Sequence, residues 1–298
     1  MEKVYKFKPL LKTLIWGTES WQLSGVEGSE TTCPEGSLNQ LVSKYGAALV
    51  GRDNWERHGA EFPLLIKFID AHQNLSIQVH PDDETARRQG KKRGKTEMWY
   101  VLESDPQAYL YNGIRVAMTP EEYKQRVASD SIVEALARYD VSEGDCFFIP
   151  AGRIHAIGTG CHLVEIQQTS DVTYRIYDYG RRDAQGHLRQ LHTREAAESI
   201  DFHVEDDYRQ PYEPQKNEGV ELVRCPYFIT SVYDMTEPME IDYTELDSFV
   251  CLIGMKGAAQ LNVDGQQVDF HEGETLLLPA NICHVRVEGT IKFLETYC

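Results

Sequence analysis

The sequence predicts a mainly β protein with helical insertions in its first two-thirds. Short apolar runs, separated by Gly, Pro, Asn and Asp, dominate the chain and are typical of strands joined by turns. Long helical patterns are scarce by comparison. In addition, one segment recurs later in the chain with several identical residues, which indicates two copies of the same β unit.

The strands are expected where apolar and β-branched residues follow one another between turn residues. The predicted strands are Leu64–Ile69, Leu75–Val79, Met98–Glu103, Ala108–Tyr111, Cys146–Pro150 and most of 220–297.

Three helical insertions are predicted between these strands, because capping signals precede residues at helical spacing. Ser37 and Gln40 have the spacing of a capping box. Asp82 follows a proline and is suited to cap a second, short helix. Thr119 is followed by a proline and, at the third helical position, by Glu122, which is a strong N-terminal signal. The three insertions are expected at about 37–46, 82–90 and 119–138.

The repeated segment predicts how the strands are organised. Glu143–His155 aligns without a gap on Glu272–His284, and Glu, Gly, Pro, Ala and His coincide. A Gly turn, an apolar strand, a Pro that ends it and a His on the next strand resemble the second motif of cupins, which are small jelly-roll barrels. We therefore expect two cupin barrels. The first, with the insertions, is placed at 1–205 and the second at 219–298, joined by a linker at 206–218 that is rich in acidic residues and proline.

The composition excludes partners that need a basic protein surface. The chain has 30 Lys+Arg and 47 Asp+Glu, a formal net charge of −17, whereas nucleic acids and anionic membranes attract positive charge. We expect neither as a partner. The seven cysteines form no C-x-x-C pair, which indicates reduced thiols and a cytoplasmic protein. The sequence leaves the oligomeric state open.

A polar strand face predicts a metal site in the first barrel. Alternation along one strand directs Ser76, Gln78 and His80 to the same face and the apolar residues between them to the other. Glu97 opens the next strand, and His155 follows the proline of the repeated segment. Two histidines and one carboxylate from three strands suit a catalytic divalent metal with open positions, which describes zinc enzymes and non-haem iron oxygenases alike.

The second barrel is expected to lack this site. Gln260 and Asn262 lie where a His-x-His pair would be expected. His284, which corresponds to His155 in the repeat, is then a structural or solvent-facing residue. We therefore predict that the second barrel is metal-free.

A run of basic residues precedes Glu97, with no acidic residue among them. It consists of Arg87, Arg88, Lys91, Lys92, Arg93 and Lys95. The run predicts either a solvated surface loop or a local positive field that attracts an anionic substrate to an acidic protein. Lys95 is only two residues from Glu97, so we expect it to act in the site.

Five motifs in order resemble the type I mannose-6-phosphate isomerases in their short bacterial form. The motifs are Pro63–Lys67, Leu75–Asp83, Gly94–Tyr100, Ile149–Gly158 and Ser170–Asp178. The resemblance extends from Trp16 to at least Arg182. It implies an enzyme that interconverts mannose 6-phosphate and fructose 6-phosphate by moving a proton between C1 and C2 through an enediolate.

The resemblance also implies which residues act. It makes His80, Glu97 and His155 the ligands of one zinc ion per chain, and it gives Arg175 the catalytic role. The residues that it implies for substrate contact are Lys67, Ser76 and Gln78, with Gln78 also matching a position that completes the metal sphere in longer members. Where those longer members have His-Lys-Pro-Glu, this chain has Gly-Lys-Thr-Glu, so a histidine base is missing. Lys95 and a metal-bound hydroxide are then the acid–base candidates.

Two other functions fit the same residues. One is an iron-dependent bicupin dioxygenase, which would use the same ligand set. The other is a non-catalytic regulator that binds a sugar phosphate, although the complete set of His80, Glu97 and His155 argues against a degenerate site. Metal analysis and an isomerase assay with and without a chelator separate the three hypotheses.

Overall fold

The structure, a computed structural model, describes residues 4–182 and 185–298. The chain divides into two compact units. The first unit contains the N-terminal residues up to Leu10 together with Trp21–Leu65 and Pro211–Cys298, and the second contains Leu11–Ser20 and Ile66–Gln210. No helix in the described part of the chain is long and apolar enough to cross a membrane.

Strands outnumber helices throughout the described residues. The helices are α1 Leu38–Tyr45, α2 Ala47–Val50, α3 Arg52–His58, α4 Asp83–Arg88, α5 Pro120–Ala128 and α6 Thr193–Ser199, with a 3₁₀ turn at Ile132–Ala135. The first strands are β1 Tyr5–Lys6, β2 Leu10–Leu14, β3 Gly17–Leu23, β4 Thr32–Cys33, β5 Gly36–Ser37, β6 Leu64–Ala71, β7 Ile77–Val79, β8 Glu97–Ser104, β9 Tyr109–Ile114 and β10 Leu136–Asp140. The remaining strands are β11 Cys146–Ile149, β12 His155–Ile157, β13 Cys161–Gln168, β14 Tyr174–Tyr177, β15 Gly219–Arg224, β16 Ile229–Met235, β17 Met239–Asp242, β18 Val250–Val263, β19 Gln266–His271, β20 Thr275–Leu278 and β21 His284–Tyr297. The prediction of a mainly β protein is confirmed.

The strands pair in antiparallel sheets. The first unit contains a sheet in the order β1-β20-β18-β21-β16-β15, with β17 paired to β21 and β19 paired to β18. The second unit contains a sheet in the order β10-β9-β12-β7-β14. A six-stranded sheet has the order β11-β8-β13-β6-β3-β2, and β4 pairs with β5.

The repeated segment has the conformation that its sequence predicts. In the first copy, Gly144 has a φ of 92°, β11 follows it, and β12 begins at His155. In the second copy, Gly273 has a φ of 78°, β20 follows it, and β21 begins at His284. Glycine adopts such left-handed backbone angles without strain, so each copy turns at the glycine before its apolar strand. The copies differ in exposure, because His155 is buried and His284 is exposed.

The predicted helical insertions are present, but the third ends earlier than expected. The capping boxes of α1 and α5 are both formed, and Asp82 caps α4. The prediction of helix up to residue 138 is wrong, because β10 begins at Leu136 and pairs with β9. Asp130, with a φ of 56°, turns the chain after α5. The alternating burial of the residues from Leu136 onward is the pattern of a strand with one solvated face.

The two units group the chain differently from the domain ranges expected from sequence. The break at Gln210 falls inside the expected linker 206–218, and the residues 21–65 group with the C-terminal segment. Tyr208, also inside that linker, is buried, and its hydroxyl donates a hydrogen bond of 2.9 Å to the Ile114 carbonyl. A Cβ on Gly113 would lie 2.2 Å from the Tyr208 ring, so this packing requires a glycine.

The core of the second unit fixes one face of β7. Ile77 and Val79 are fully buried in an apolar cluster that also contains Tyr123 of α5 and Tyr174 of β14. Gln78 lies between them in sequence and is only half-buried. Because side chains alternate along a strand, packing of the apolar pair directs Gln78 to the opposite face of β7.

A buried carboxyl group lies in the first unit. Glu295, on β21, is only 4% exposed, and its Oε1 accepts a hydrogen bond of 2.5 Å from the Tyr243 hydroxyl. Burial raises the pKa of Glu295, and the bond from Tyr243 offsets this only in part. The carboxyl group therefore contributes stability at acidic pH, and this contribution is lost as the pH rises through the pKa of the folded state.

Replacing Glu295 with Gln should stabilise the chain at alkaline pH, because Gln retains an acceptor for Tyr243 but never becomes charged. We expect the melting temperature of Glu295→Gln to exceed that of the wild type near pH ~8 and the difference to shrink toward pH ~4. Thermal unfolding followed by circular dichroism measures both. Glu288→Gln, an exposed change on the same strand, is the control. An equal gain at the two pH values would contradict the prediction.

Candidate active site

Three buried side chains from separate strands meet in the second unit. His80 follows β7, Glu97 begins β8 and His155 begins β12. Their ligand atoms all lie within 4.8 Å of one another. Glu97 Oε1 is 3.3 Å from His155 Nε2, and Glu97 Oε2 is 3.6 Å from His80 Nε2. The structure thus brings together the three residues that the sequence predicts as metal ligands.

Backbone carbonyls fix the tautomers of both histidines. His80 Nδ1 donates a hydrogen bond of 2.7 Å to the Val172 carbonyl, and His155 Nδ1 donates one of 2.8 Å to the Arg153 carbonyl. A carbonyl only accepts, so each Nδ1 carries a proton and each Nε2 has a free lone pair. Burial lowers the pKa of His80 far below its usual value and that of His155 to about 3. Both rings are therefore neutral, which is the form that binds metals.

The three side chains fit a divalent metal. Both carboxylate oxygens of Glu97 are buried, and neither accepts a hydrogen bond of normal geometry from the described residues, although Lys95 Nζ lies 2.7 Å from Oε2. Buried carboxylates without such bonds are rare in proteins. Ligands of a tetrahedral zinc ion, with bonds of about 2.0–2.1 Å, lie roughly 3.3 Å apart. The separations between Glu97 and the two Nε2 atoms are close to that value.

The side chains of Gln78 and Lys95 contact the two histidines of this cluster. Gln78 Nε2 is 3.3 Å from His155 Nε2, and Lys95 Nζ is 3.2 Å from His80 Nε2. The Gln78 amide has a carbonyl oxygen as well as an amino group, so it also carries a group of the kind that binds metals. Gln78 and Lys95 are therefore direct neighbours of the three-residue cluster.

A second group of buried charges adjoins the cluster. Lys67 Nζ donates a hydrogen bond of 2.7 Å to Glu165 Oε1 and lies 3.9 Å from Glu19. Glu165 also accepts a hydrogen bond of 2.9 Å from Trp99 Nε1, and Lys95 Nζ is 3.7 Å from Glu165. Burial alone would raise the pKa of Glu165, but the two lysines outweigh it and lower that pKa to about 2. Glu165 is therefore ionised.

Lys67, Lys95, Glu19 and Glu165 line one cleft of about 390 Å³, a size that suits a small ligand. The sequence-predicted residues that line it are Lys67, Ser76, Gln78, Lys95 and Arg175. Of the basic run before Glu97, only Lys95 is among the described residues that line the cleft. Lys91 and Lys92 have exposed side chains.

Arg175 occupies the part of the cleft next to Gln78. It lies on β14 directly opposite Gln78 of β7. Its Nη1 donates a hydrogen bond of 2.8 Å to the Gln190 carbonyl, whereas its buried Nε has no partner among the described residues. Burial, and then the nearby charge of Arg189, lower the pKa of Arg175. Arg175 therefore has a buried donor without an acceptor among the described residues.

Sequence reasoning missed several residues of this cleft. Glu165 and Arg189 line it but were not predicted. A carboxylate within the apolar run of β13 is a signal that could have identified Glu165. Nothing in the local sequence marks Arg189, since its place depends on contacts with residues distant in the chain.

Comparisons with known proteins indicate the family of the chain. Residues 8–124 match the family described as phosphomannose isomerase type I, catalytic domain, and residues 219–298 match the mannose-6-phosphate isomerase, cupin domain. The chain is similar to mannose-6-phosphate isomerase ManA of Bacillus subtilis (strain 168), with 30% identity over 95% of each chain. It is 32% identical to mannose-6-phosphate isomerase of Streptococcus mutans, over 79% of this chain and 74% of that protein.

A solved structure shows that the fold is similar as well. The crystal structure of mannose 6-phosphate isomerase from Bacillus subtilis matches with a TM-score of 0.88 and 25% identity, covering 98% of this chain and 99% of that one. The family matches and the relatives identify the chain as an isomerase of the cupin fold. The chain belongs to the type I phosphomannose isomerase family.

Replacing Glu165 with Ala should destabilise the chain strongly, because two buried ammonium groups would lose a carboxylate partner. We expect a loss of about 3–5 kcal/mol in the free energy of unfolding, the usual cost of leaving a buried charge unpaired. Urea unfolding at neutral pH measures it. Glu103→Ala, an exposed change on β8, is the matched control and should lose much less. Similar losses in both variants would contradict the prediction.

Proposed function

We propose that the chain interconverts mannose 6-phosphate and fructose 6-phosphate by moving a proton between C1 and C2 through an enediolate. One zinc ion per chain would be held by His80, Glu97 and His155. The observation that carries the proposal is the buried set of two neutral histidines and Glu97 beside a cleft with cationic side chains, in a chain of this family.

The donor set supports zinc. Two imidazole nitrogens and one carboxylate oxygen are ligands that catalytic zinc sites use, with a position left for water or substrate. When bound, the ion would supply Lewis-acid stabilisation of the negative charge that develops on the sugar oxygens. The Val172 and Arg153 carbonyls would keep both Nε2 atoms directed toward the ion.

Arg175 and Lys95 are the residues proposed to act on the sugar. Arg175 would donate hydrogen bonds to O1 or O2, since its buried Nε lacks a partner and it lies opposite Gln78. Lys95 would exchange the proton at C1 and C2, because its Nζ lies at the boundary of cleft and cluster. A base must reach within hydrogen-bond distance of the carbon-bound proton, and the position of Lys95 in the cleft lining supports this proposed role.

The cleft also supports the proposed substrate contacts. Lys67, Ser76 and Gln78 line it and would contact the sugar phosphate. We also propose a cytoplasmic location, because the seven scattered cysteines are typical of reduced thiols. Sugar phosphates of this kind are small soluble substrates, and no nucleic acid or membrane partner is proposed.

Changing His155 to Ala should remove the metal. We expect zinc affinity to fall by more than about 100-fold, since even the loss of a supporting contact costs 10–100-fold. Atomic absorption after dialysis should find one zinc per wild-type chain and none in the variant. His162→Ala, a histidine outside the cluster, is the control. Iron in place of zinc in the wild type, or full isomerase activity after chelation, would contradict the proposal.

Changing Arg175 to Ala should reduce turnover and leave the metal in place. We expect kcat for mannose 6-phosphate to fall about 10²–10³-fold, the range found when one donor to a developing oxyanion is removed. An isomerase assay and zinc analysis of the same preparation measure both quantities. Arg194→Ala, an exposed arginine on α6 that does not line the cleft, is the control. Normal turnover in Arg175→Ala would rule out the assigned role.

A further inference from the structure

Two arginines line the same cleft and lie close enough to influence each other. Arg175 and Arg189 both belong to its lining. The charge of Arg189 is, after burial, the next contribution that lowers the pKa of Arg175. Two positive groups that face one cavity repel each other, and an anion placed between them relieves that repulsion. This part of the cleft is therefore suited to a negatively charged group.

Asp178 holds Arg189 in a fixed orientation. Arg189 Nε donates to Asp178 Oδ2 and Arg189 Nη2 donates to Asp178 Oδ1, both at 2.7 Å, which is the bidentate geometry of arginine and carboxylate. Arg181 contacts the same Oδ1 and donates to the Asn74 carbonyl at 2.5 Å. Burial alone would raise the pKa of Asp178, but its bonds with the two arginines outweigh it and lower that pKa. Asp178 thus stays ionised and positions Arg189.

The balance of charge distinguishes this region from the rest of the cleft. Lys67 pairs with Glu165, and Lys95 lies 2.7 Å from Glu97, so both lysines already have carboxylate partners. Arg175, Arg181 and Arg189, in contrast, share Asp178. Asp171 also lines the cleft, but it is not among the charges that act on Arg175. For their number, the three arginines therefore have fewer carboxylate partners than the two lysines, which favours binding of an anion beside the arginines.

The residues that link the His/Glu/His cluster to the arginines suit the two ends of a sugar phosphate. Gln78 contacts His155, Arg175 lies opposite Gln78, and Arg189 lines the same cleft, where its charge acts on Arg175. In an open-chain hexose 6-phosphate, the reacting C1 and C2 are at one end and the phosphate is at the other. With C1 and C2 next to the His/Glu/His cluster, the phosphate would reach the arginine group.

We propose that Arg189, positioned by Asp178, binds the phosphate group of the substrate. The proposal rests on the proposed function for the choice of substrate but not for the anion site itself. A phosphate monoester carries about −1.5 to −2 charges at pH ~7 and three acceptor oxygens. Asp178 uses two of the donors of Arg189, and a guanidinium has five, so the others serve the phosphate. Arg189 then determines the preference for phosphorylated over neutral sugars.

The test compares Arg189→Gln with Arg194→Gln, the same change on an exposed arginine outside the cleft. Sorbitol 6-phosphate, which has no carbonyl group to isomerise, is the calorimetric probe, and unphosphorylated sorbitol is its matched control. We expect Arg189→Gln to bind sorbitol 6-phosphate about 10- to 100-fold more weakly, the range for one charge-assisted hydrogen bond. Arg194→Gln should bind it as the wild type does. Equal affinities in the two variants, or an equal loss for sorbitol, would overturn the proposal.

Kinetics separate a binding role from a structural one. In Arg189→Gln, KM for mannose 6-phosphate should rise by the same factor while kcat changes less than about threefold, because uniform binding is lost. Arg189→Lys should recover part of the affinity through charge alone. Asp178→Asn should weaken binding only while Arg189 is present, so the double variant should be no worse than Arg189→Gln. A loss in kcat alone would contradict phosphate binding.

The same experiments distinguish this proposal from the proposed function. A wild-type chain that binds sorbitol 6-phosphate through Arg189 but does not isomerise mannose 6-phosphate would exclude the proposed reaction and leave the phosphate site standing. If the wild-type chain isomerises mannose 6-phosphate and Arg189→Gln has a normal KM, the proposed reaction stands and Arg189 is excluded as the phosphate-binding residue.

Discussion

The pairing of buried charges is the constraint on which the rest of the site depends. Lys67, Lys95, Glu97 and Glu165 are all nearly inaccessible to solvent. Removing each charge from water costs several kcal/mol, which only close opposite charges offset. Lys67, Glu97 and Glu165 lie on β6, β8 and β13, and Lys95 lies just before β8, so these strands must stay in one register. The same requirement fixes Glu97 at the start of β8, where it meets His80 and His155.

The cluster could be predicted from sequence because its signals are local. Alternation along β7 places Gln78 and His80 opposite the buried Ile77 and Val79, and the repeated segment marks His155 by its glycine and proline. Glu165 has only one local signal, its position within an apolar run. The Asp178–Arg189 pair could not be predicted, because its role depends on which strands become neighbours and on how the chain returns to β14. Pairing register over long sequence separations is not encoded in any short window.

The difference between local and long-range signals also explains which elements of the fold could be predicted. The capping boxes at Ser37 and Thr119 identify helix starts by contacts within four residues, and both helices begin where expected. The end of α5 was misplaced because Asp130 adopts a left-handed conformation without being glycine, which leaves no strong sequence signal. The repeat correctly predicts two similar strand–turn–strand units. It does not reveal that His155 is buried while His284 is exposed, since neighbouring strands determine exposure.

The net charge of the chain bears on large anionic partners, whereas the local charge at the cleft bears on a small anionic ligand. A formal charge of −17 argues against nucleic acid and anionic membranes as partners. It says little about the cleft, because surface charges are screened over about 8–10 Å by salt, whereas partly buried groups are screened much less. Around the cleft, carboxylates partner the lysines, while Arg175 and Arg189 of its lining share Asp178 with Arg181. An acidic chain can therefore present a local positive field to a small anion, and the field is set by the few partly buried pairs that line the cavity.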